Sequence, residues 1–246
     1  MRLDSFLFES GLVSSRTEAK KFILEGAVSV SGKVIKKPAF EVEPEEADVS
    51  VDKSSKKYAS RAGFKLEAAL DSFSISPSGM CALDIGASSG GFTDCLLQRG
   101  AAHVIAVDSG YGQLVAKLRE DSRVTAIENY NARYMAPEDF DVKPDIAVMD
   151  VSFISATYII PAVAEVLSGG GIFICLIKPQ FEVGKDRLGK GGIVKSEKYR
   201  NEAKQRVVSS AESVGFSLVG IIESPIKGGD GNIEYLAYFK KKEENP

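Results

Sequence analysis

The rhythm of apolar and polar positions changes twice along the chain. Near the start, Leu3, Phe6 and Leu7, then Ala19, Phe22 and Ile23, recur at helical spacing. Ser15 with Glu18 three residues on forms a capping box that opens the second helix, and Gly26 suits its C-terminal cap. Val28 and Val30 then alternate with polar residues, turn at Ser31-Gly32 and resume through Lys33-Val34, as a strand pair does. Acidic Glu41, Glu43, Glu45, Glu46 and Asp48 and the pair Val49, Val51 close a small α+β unit over residues 1–50.

Lys-Ser-Ser-Lys-Lys-Tyr-Ala-Ser (53–60) is short, polar and basic, which predicts a linker over residues 51–60. From 61 to 246, apolar runs of strand length alternate with helical stretches. The predicted strands are Met80–Ile85, His103–Val107, Val124–Ile127, Ile146–Met149, Gly171–Ile177, Leu218–Ser224 and Tyr235–Phe239. Helices are predicted at Thr93–Arg99, Tyr158–Leu167 and Lys198–Val214. This alternation implies a mostly parallel α/β sheet with helices on both faces. The last two strands follow one another without a helix, which predicts a hairpin at one edge.

Charge and cysteine usage narrow the class. The longest uncharged stretch, Val151 to Ala164, contains Pro161 and falls short of the roughly 18 apolar residues of a membrane span. Asp4 and Glu9 interrupt the N-terminus, so no signal-peptide core forms. Cys81, Cys95 and Cys175 form no C-x-x-C pair and His103 is the single histidine, which argues against a zinc site. A soluble, cytoplasmic protein without a metal is expected. The net charge of −3 hides an uneven distribution: residues 1–40 carry seven Lys/Arg against four Asp/Glu, and 178–206 carry nine against four. Such basic faces suit phosphate backbones whatever the total charge.

The most informative segment is Leu83-Asp84-Ile85-Gly86-Ala87-Ser88-Ser89-Gly90-Gly91-Phe92-Thr93, a glycine-rich turn between a strand and a helix. Open α/β sheets bind ligands at such turns, where glycines let the backbone approach closely and leave amides facing the ligand. The spacing is not G-x-G-x-x-G, and Asp84 before the first glycine would repel a pyrophosphate. It suits the cationic amino group of S-adenosylmethionine. Asp108, at the end of the second strand, can accept both ribose hydroxyls of a nucleoside. Glu128, Asn129 and Asn131 end the third strand beside the expected adenine edge. The expected donor-binding set is Asp84, Gly86, Ser88, Gly90, Phe92, Asp108, Glu128, Asn129, Asn131 and Asp150. Four ionisable groups also stand at element tips: Lys65, Asp150, Lys178 and Glu234. Two carboxylates and two lysines meeting in a crevice would form a neutral, coupled network. A ribose hydroxyl is a weak acid, so it needs a base or cation beside it as it attacks. The charge state of the lysines stays open at this point.

Two resemblances give these residues a context. Arg2-Leu3-Asp4, Gly11-Leu12, Ser15-Arg16, Ala19, Ile23, Gly26, Val28, Val30, Gly32 and Lys37-Pro38 resemble the RNA-binding module shared with ribosomal protein S-four. The RNA-binding candidates are Arg2, Arg16, Lys20, Lys21, Lys33, Lys36 and Lys37, joined by Lys56, Lys57 and Arg61 of the linker and the basic segment 185–204. The second half resembles the FtsJ-like ribose 2′-O-methyltransferases, whose Lys-Asp-Lys-Glu tetrad is matched in order by Lys65, Asp150, Lys178 and Glu234. The matching motifs are S-R-A-G-F-K-L, M-D-V-S-F-I-S, L-I-K-P-Q-F-E and G-N-I-E-Y. Joined, the halves resemble the TlyA family, some of whose members carry the label haemolysin. The resemblance implies a Rossmann-like, seven-stranded S-adenosylmethionine-dependent methyltransferase domain behind an RNA-binding module, acting on ribosomal RNA or a ribosomal subunit. In that reading Lys178 activates or orients the hydroxyl, Asp150 and Glu234 position Lys178, and Lys65 positions the nucleophile. Rival readings are a pore-forming haemolysin, a non-catalytic RNA-binding protein, and a pseudouridine synthase that shares the module but leaves the glycine loop unexplained.

Overall fold

A computed structural model describes residues 1–24, 26–44, 47–51, 57–228 and 231–243, without the side chain of Lys21. Lys56 and the Lys21 side chain, both RNA-binding candidates, lie outside the described residues. The chain divides into two compact units, Met1–Arg61 and Ala62–Pro246.

In the first unit, α1 (Leu3–Glu9) and α2 (Arg16–Leu24) precede β1 (Val28–Val30), β2 (Lys33–Val34) and β3 (Val49–Val51). The strands form an antiparallel sheet in the order β2-β1-β3, with Val28 opposite Val51 and Val30 opposite Val49. The helical stripe read from the sequence supplies most of the core, with Leu3, Leu7, Ala19 and Ile23 fully buried beside Val28 of β1. Half of the expected capping box forms, with the Glu18 amide donating to Ser15 Oγ at 3.1 Å. The Glu18 carboxylate turns to the backbone amide and hydroxyl of Ser14, both at 2.6 Å, instead of to Ser15.

The second unit opens with α3 (Ala62–Ser72). There follow β4 (Cys81–Ile85), α4 (Gly91–Gln98), β5 (His103–Val107), α5 (Ala116–Arg119), β6 (Val124–Ile127), β7 (Ile146–Met149), α6 (Ile160–Val166), β8 (Ile172–Ile177), α7 (Pro179–Glu182), α8 (Glu197–Ser213), β9 (Phe216–Glu223) and β10 (Tyr235–Lys241). The seven strands lie in the order β6-β5-β4-β7-β8-β10-β9. All neighbours from β6 to β8 are parallel, while β10 runs antiparallel to β8 and β9. The expected hairpin is therefore present, with β9 outermost. The helix expected from Tyr158 begins at Ile160 because Pro161 suits a first helical turn, where its missing N–H is not needed. Only two 3₁₀ turns, Ala132–Tyr134 and Pro137–Asp139, separate β6 from β7. Phe173, Phe216 and Phe239, on β8, β9 and β10, are buried together in the core.

From β4 the chain steps outward to β5 and β6, then returns past β4 to β7. Ligands of open α/β sheets bind outside the carboxyl ends of the strands at such a reversal. Among the described residues no helix is long and apolar enough to cross a membrane.

Candidate active site

Between β4 and α4 the chain turns sharply at Gly86, whose φ is +83°. A Cβ there would stand 2.5 Å from the backbone oxygen of Asp150, so only glycine lets this loop close against the end of β7. The amides of Gly86 and Ala87 both donate to Val107 O, at 2.9 and 3.1 Å, which ties the turn to β5. Asp108, directly after β5, finishes the tie. Its Oδ2 accepts from the Ser88 amide at 2.8 Å and its Oδ1 from the Gly110 amide at 2.7 Å. The residue therefore organises the loop as well as facing the crevice.

These turns enclose a cavity of about 470 Å³ whose wall includes Gly86, Ser88, Asp108, Asn131 and Asp150 of the expected donor set. Asp84, Gly90, Phe92, Glu128 and Asn129 are not on the wall. Asp84 lies beneath the loop, fully buried, and accepts from Thr93 Oγ1 at 2.6 Å. Burial pushes its carboxyl up to about 7, with the Thr93 hydrogen bond opposing. Its other oxygen, Oδ1, is buried without a hydrogen-bond partner. Gly90 packs on the side chains of Leu114 and Leu118, and Phe92 is buried. Glu128 turns away from the cavity: it accepts from the Gly112 amide at 2.9 Å and pairs with Arg119 at 3.5 Å. The Gly112 hydrogen bond holds its carboxyl below the usual range. Asn129 takes φ +56°, and its amide donates to Gly110 O at 2.9 Å. The wall is formed one to three residues later, by Tyr130, Asn131 and Ala132. Gln113, Ser152 and Phe153 also line the cavity, beyond the set expected from the sequence. Ser152 and Phe153 belong to the M-D-V-S-F-I-S motif, which is the signal that could have found them.

The four tip residues form two ion pairs. Lys178 Nζ stands 2.6 Å from Asp150 Oδ1 and donates to Ser152 Oγ at 2.7 Å. Lys65, on α3, reaches Glu234 Oε2 at 2.6 Å, and both are buried. Glu234 was expected to hold Lys178, yet the ion pair it makes is with Lys65, because α3 carries that ammonium to the start of β10. Ile177 and Tyr235 are partners in the β8–β10 register, so Lys178 and Glu234 leave neighbouring strands at the same level. Asp150 is fixed by its amide, which donates to Ile85 O at 2.9 Å. Next along this loop, Phe153 takes φ +66° and is 93% exposed, its ring 5.4 Å from that of Phe181. A bulky residue in the left-handed region is a strained exception that marks functional loops.

In the N-terminal unit, Arg2, Arg16, Lys20, Lys33, Lys36, Lys37 and Lys57 are exposed. Arg61 is half-buried and donates to Gly26 O at 3.4 Å, so it is used within the module.

Comparison with known proteins agrees with this architecture. The family model for FtsJ-like methyltransferases matches residues 58–241, and that for the S4 domain matches residues 1–48. Hemolysin A of Brachyspira hyodysenteriae is 44% identical over 240 residues, 97% of this chain and 99% of its own. The 16S/23S rRNA (cytidine-2′-O)-methyltransferase TlyA of Mycobacterium tuberculosis is 41% identical over 239 residues, 97% of this chain and 89% of its own. A solved hemolysin-named protein of Streptococcus thermophilus superposes with a TM-score of 0.78 at 42% identity, covering 98% of this chain and 88% of that one. A fibrillarin of Aeropyrum pernix with bound S-adenosyl-L-methionine, at 19% identity and a TM-score of 0.52 over 72% of this chain and 75% of that one, shares the fold. The methyltransferase match spans most of the chain: the protein belongs to the FtsJ-like methyltransferase family and carries an S4 domain ahead of the methyltransferase fold.

Proposed function

We propose that this protein methylates a ribose 2′-hydroxyl of ribosomal RNA, with S-adenosylmethionine as donor. The observation that carries the reading is the Lys178–Asp150 pair at 2.6 Å beside the glycine-loop cavity, with Asp150 itself on the cavity wall. The near-full-length likeness to a relative named for cytidine 2′-O-methylation supports the choice of substrate.

The residues present fit the donor. Gly86 stands on the cavity wall, and the Asp108 oxygens keep lone pairs beyond those taken by Ser88 and Gly110. Gly86, Ser88, Asp108 and Asn131 would hold the nucleoside and amino-acid ends, and the bound donor supplies an electrophilic methyl group. The Lys178 ammonium donates to Ser152 Oγ and is charge-paired with Asp150 Oδ1, which leaves N–H capacity for the attacking oxygen. Lys178 thereby orients the hydroxyl and stabilises the negative charge that grows on it as its proton passes to water, an interaction strongest in the transition state. The Lys65–Glu234 pair braces the start of β10 beside it. Exposed Phe153, next to Ser152, offers a face on which the base of the reacting nucleotide stacks.

The test is incorporation of label from methyl-tritiated S-adenosylmethionine into ribosomal RNA, offered as naked RNA and as subunits, followed by nucleoside analysis. Label on a 2′-oxygen is the expected result. Label on a base, or none with either substrate, overturns the proposal.

A further inference from the structure

Asp4, in the first turn of α1, is fully buried in the N-terminal module. Its cover is two guanidinium groups. Arg2 donates from Nε and Nη2 to the two carboxylate oxygens, at 3.0 and 2.9 Å. Arg16, the first residue of α2, brings Nη2 within 3.6 Å of Oδ1. The side chains of Arg2 and Arg16 remain 49% and 53% exposed. The Arg2 hydrogen bonds hold the Asp4 carboxyl down at about 2, so the pair is ionised throughout the working range.

A buried carboxylate is costly, and apolar residues of similar volume commonly serve stability as well or better. The module already has an apolar core of Leu3, Leu7, Ala19 and Ile23. What the carboxylate adds is an arrangement. Two like charges from different elements, both drawn to one carboxylate, would otherwise repel one another, and Asp4 between them offsets that repulsion. Arg2 turns its Nε edge to Asp4, which leaves the Nη1 hydrogens at the end of the fork for another acceptor. Arginine forks match phosphate oxygens in pairs, and a fork already fixed loses less freedom on binding. Lys20, Lys33 and Lys37 present charge on flexible stems with no such matched geometry.

We infer that Asp4 is a positioning residue for RNA binding: it holds the guanidiniums of Arg2 and Arg16 side by side as a two-pronged receptor for backbone phosphates. The inference rests on the module's reading as an RNA-binding unit, and the experiment separates the two.

Affinity of the full chain for labelled total ribosomal RNA is measured over a salt series for Arg2→Ala, Arg16→Ala, Asp4→Asn and Arg2→Lys, with melting temperatures alongside. Asp4→Asn raises the net charge by one positive unit, so electrostatics alone would tighten RNA binding. Positioning predicts the reverse, roughly tenfold weaker binding, the order expected from reordering two long side chains, with a shallower salt dependence. Arg2→Lys keeps the charge but loses the fork, and should weaken binding similarly. If the two alanine variants bind as the native chain does, the RNA reading of this face fails and the inference with it. If they weaken binding while folded Asp4→Asn binds equally or more tightly, positioning alone is overturned. If Asp4→Asn melts below the assay temperature, Arg2→Lys decides: undiminished affinity overturns the inference, and a matching loss supports it.

Discussion

Lys65 and Glu234 lie 169 positions apart in the chain and meet in a buried ion pair of 2.6 Å. Glu234 is 2% exposed and Lys65 8%, so deleting either partner leaves an uncompensated charge in the interior. Breaking such a pair typically costs about 3–5 kcal/mol, while replacing both partners by apolar residues can be near neutral. Lys65→Met and Glu234→Leu should each lower stability by an amount of that order in urea unfolding. The double variant should regain part of the loss yet methylate RNA poorly. Single variants as stable as the native chain would show that the pair does not brace the site.

That pair also marks where sequence reading stops. The ends of β5, β7 and β8 are legible because apolar runs stop at charged residues, and these stops locate Asp108, Asp150 and Lys178 at strand tips. A separation of 169 residues carries no periodic signal, so the sequence brings the four tetrad residues to one crevice without showing that Lys65 takes Glu234 as its partner. Side-chain direction is equally hidden. The position of Asp84 suggests that it faces the donor, yet the Thr93 hydroxyl draws it beneath the loop. Glu128 falls at the expected adenine edge, but the Gly112 amide and Arg119 offer it partners on the other side. The left-handed backbone of Phe153, which throws its ring into solvent, has no sequence signature because phenylalanine rarely adopts it.

Asp84 gives stability an unusual pH dependence. Burial puts its carboxyl at about 7, above the unfolded value near 4. Below pH about 4 it is protonated in both states and carries no penalty. Between about 4 and 7 the unfolded chain releases a proton that the folded protein keeps, so stability falls as pH rises through that window. Above about 7 both states are ionised and the penalty is constant. Asp84→Asn is neutral throughout and escapes it. Its melting temperature relative to the native chain should climb from about pH 4 to about pH 7 and then level off. A difference that stays flat across this range would mean that Asp84 is ionised in the folded protein.

Gly86→Ala separates backbone strain from close approach. At φ +83° an alanine loses roughly 1–2 kcal/mol to the left-handed conformation. Its Cβ would also collide with the backbone oxygen of Asp150 at 2.5 Å, where no flexible atom can yield. Gly215 provides the control, with φ +96° and nothing within 4 Å of where a Cβ would stand. Gly215→Ala should lose about that much stability and keep donor affinity. Gly86→Ala should lose at least as much stability, and calorimetric donor affinity should fall about tenfold or more as Asp150 is displaced. Equal donor affinities in the two variants would remove the Gly86 contact from the site.

Lys178 is where the geometry commits to chemistry. Its ammonium contacts Asp150 at 2.6 Å and Ser152 at 2.7 Å, and both partners line the cavity. Lys178→Ala should lower the single-turnover rate of RNA methylation by roughly 10²-fold, as expected when an orienting or proton-handling group is removed. Donor and RNA affinities should change little, since the contact is strongest in the transition state. Lys178→Arg should not restore the rate, because a planar guanidinium cannot occupy the position of a compact ammonium held by Asp150 and Ser152. Ser152→Ala should give a smaller loss, since the Asp150 contact still fixes one direction of the ammonium. A purely structural ion pair predicts a different outcome: a lower melting temperature with the rate per folded molecule preserved. Single-turnover rates read beside melting curves distinguish the two, and a destabilised but fully active Lys178→Ala would end the catalytic assignment.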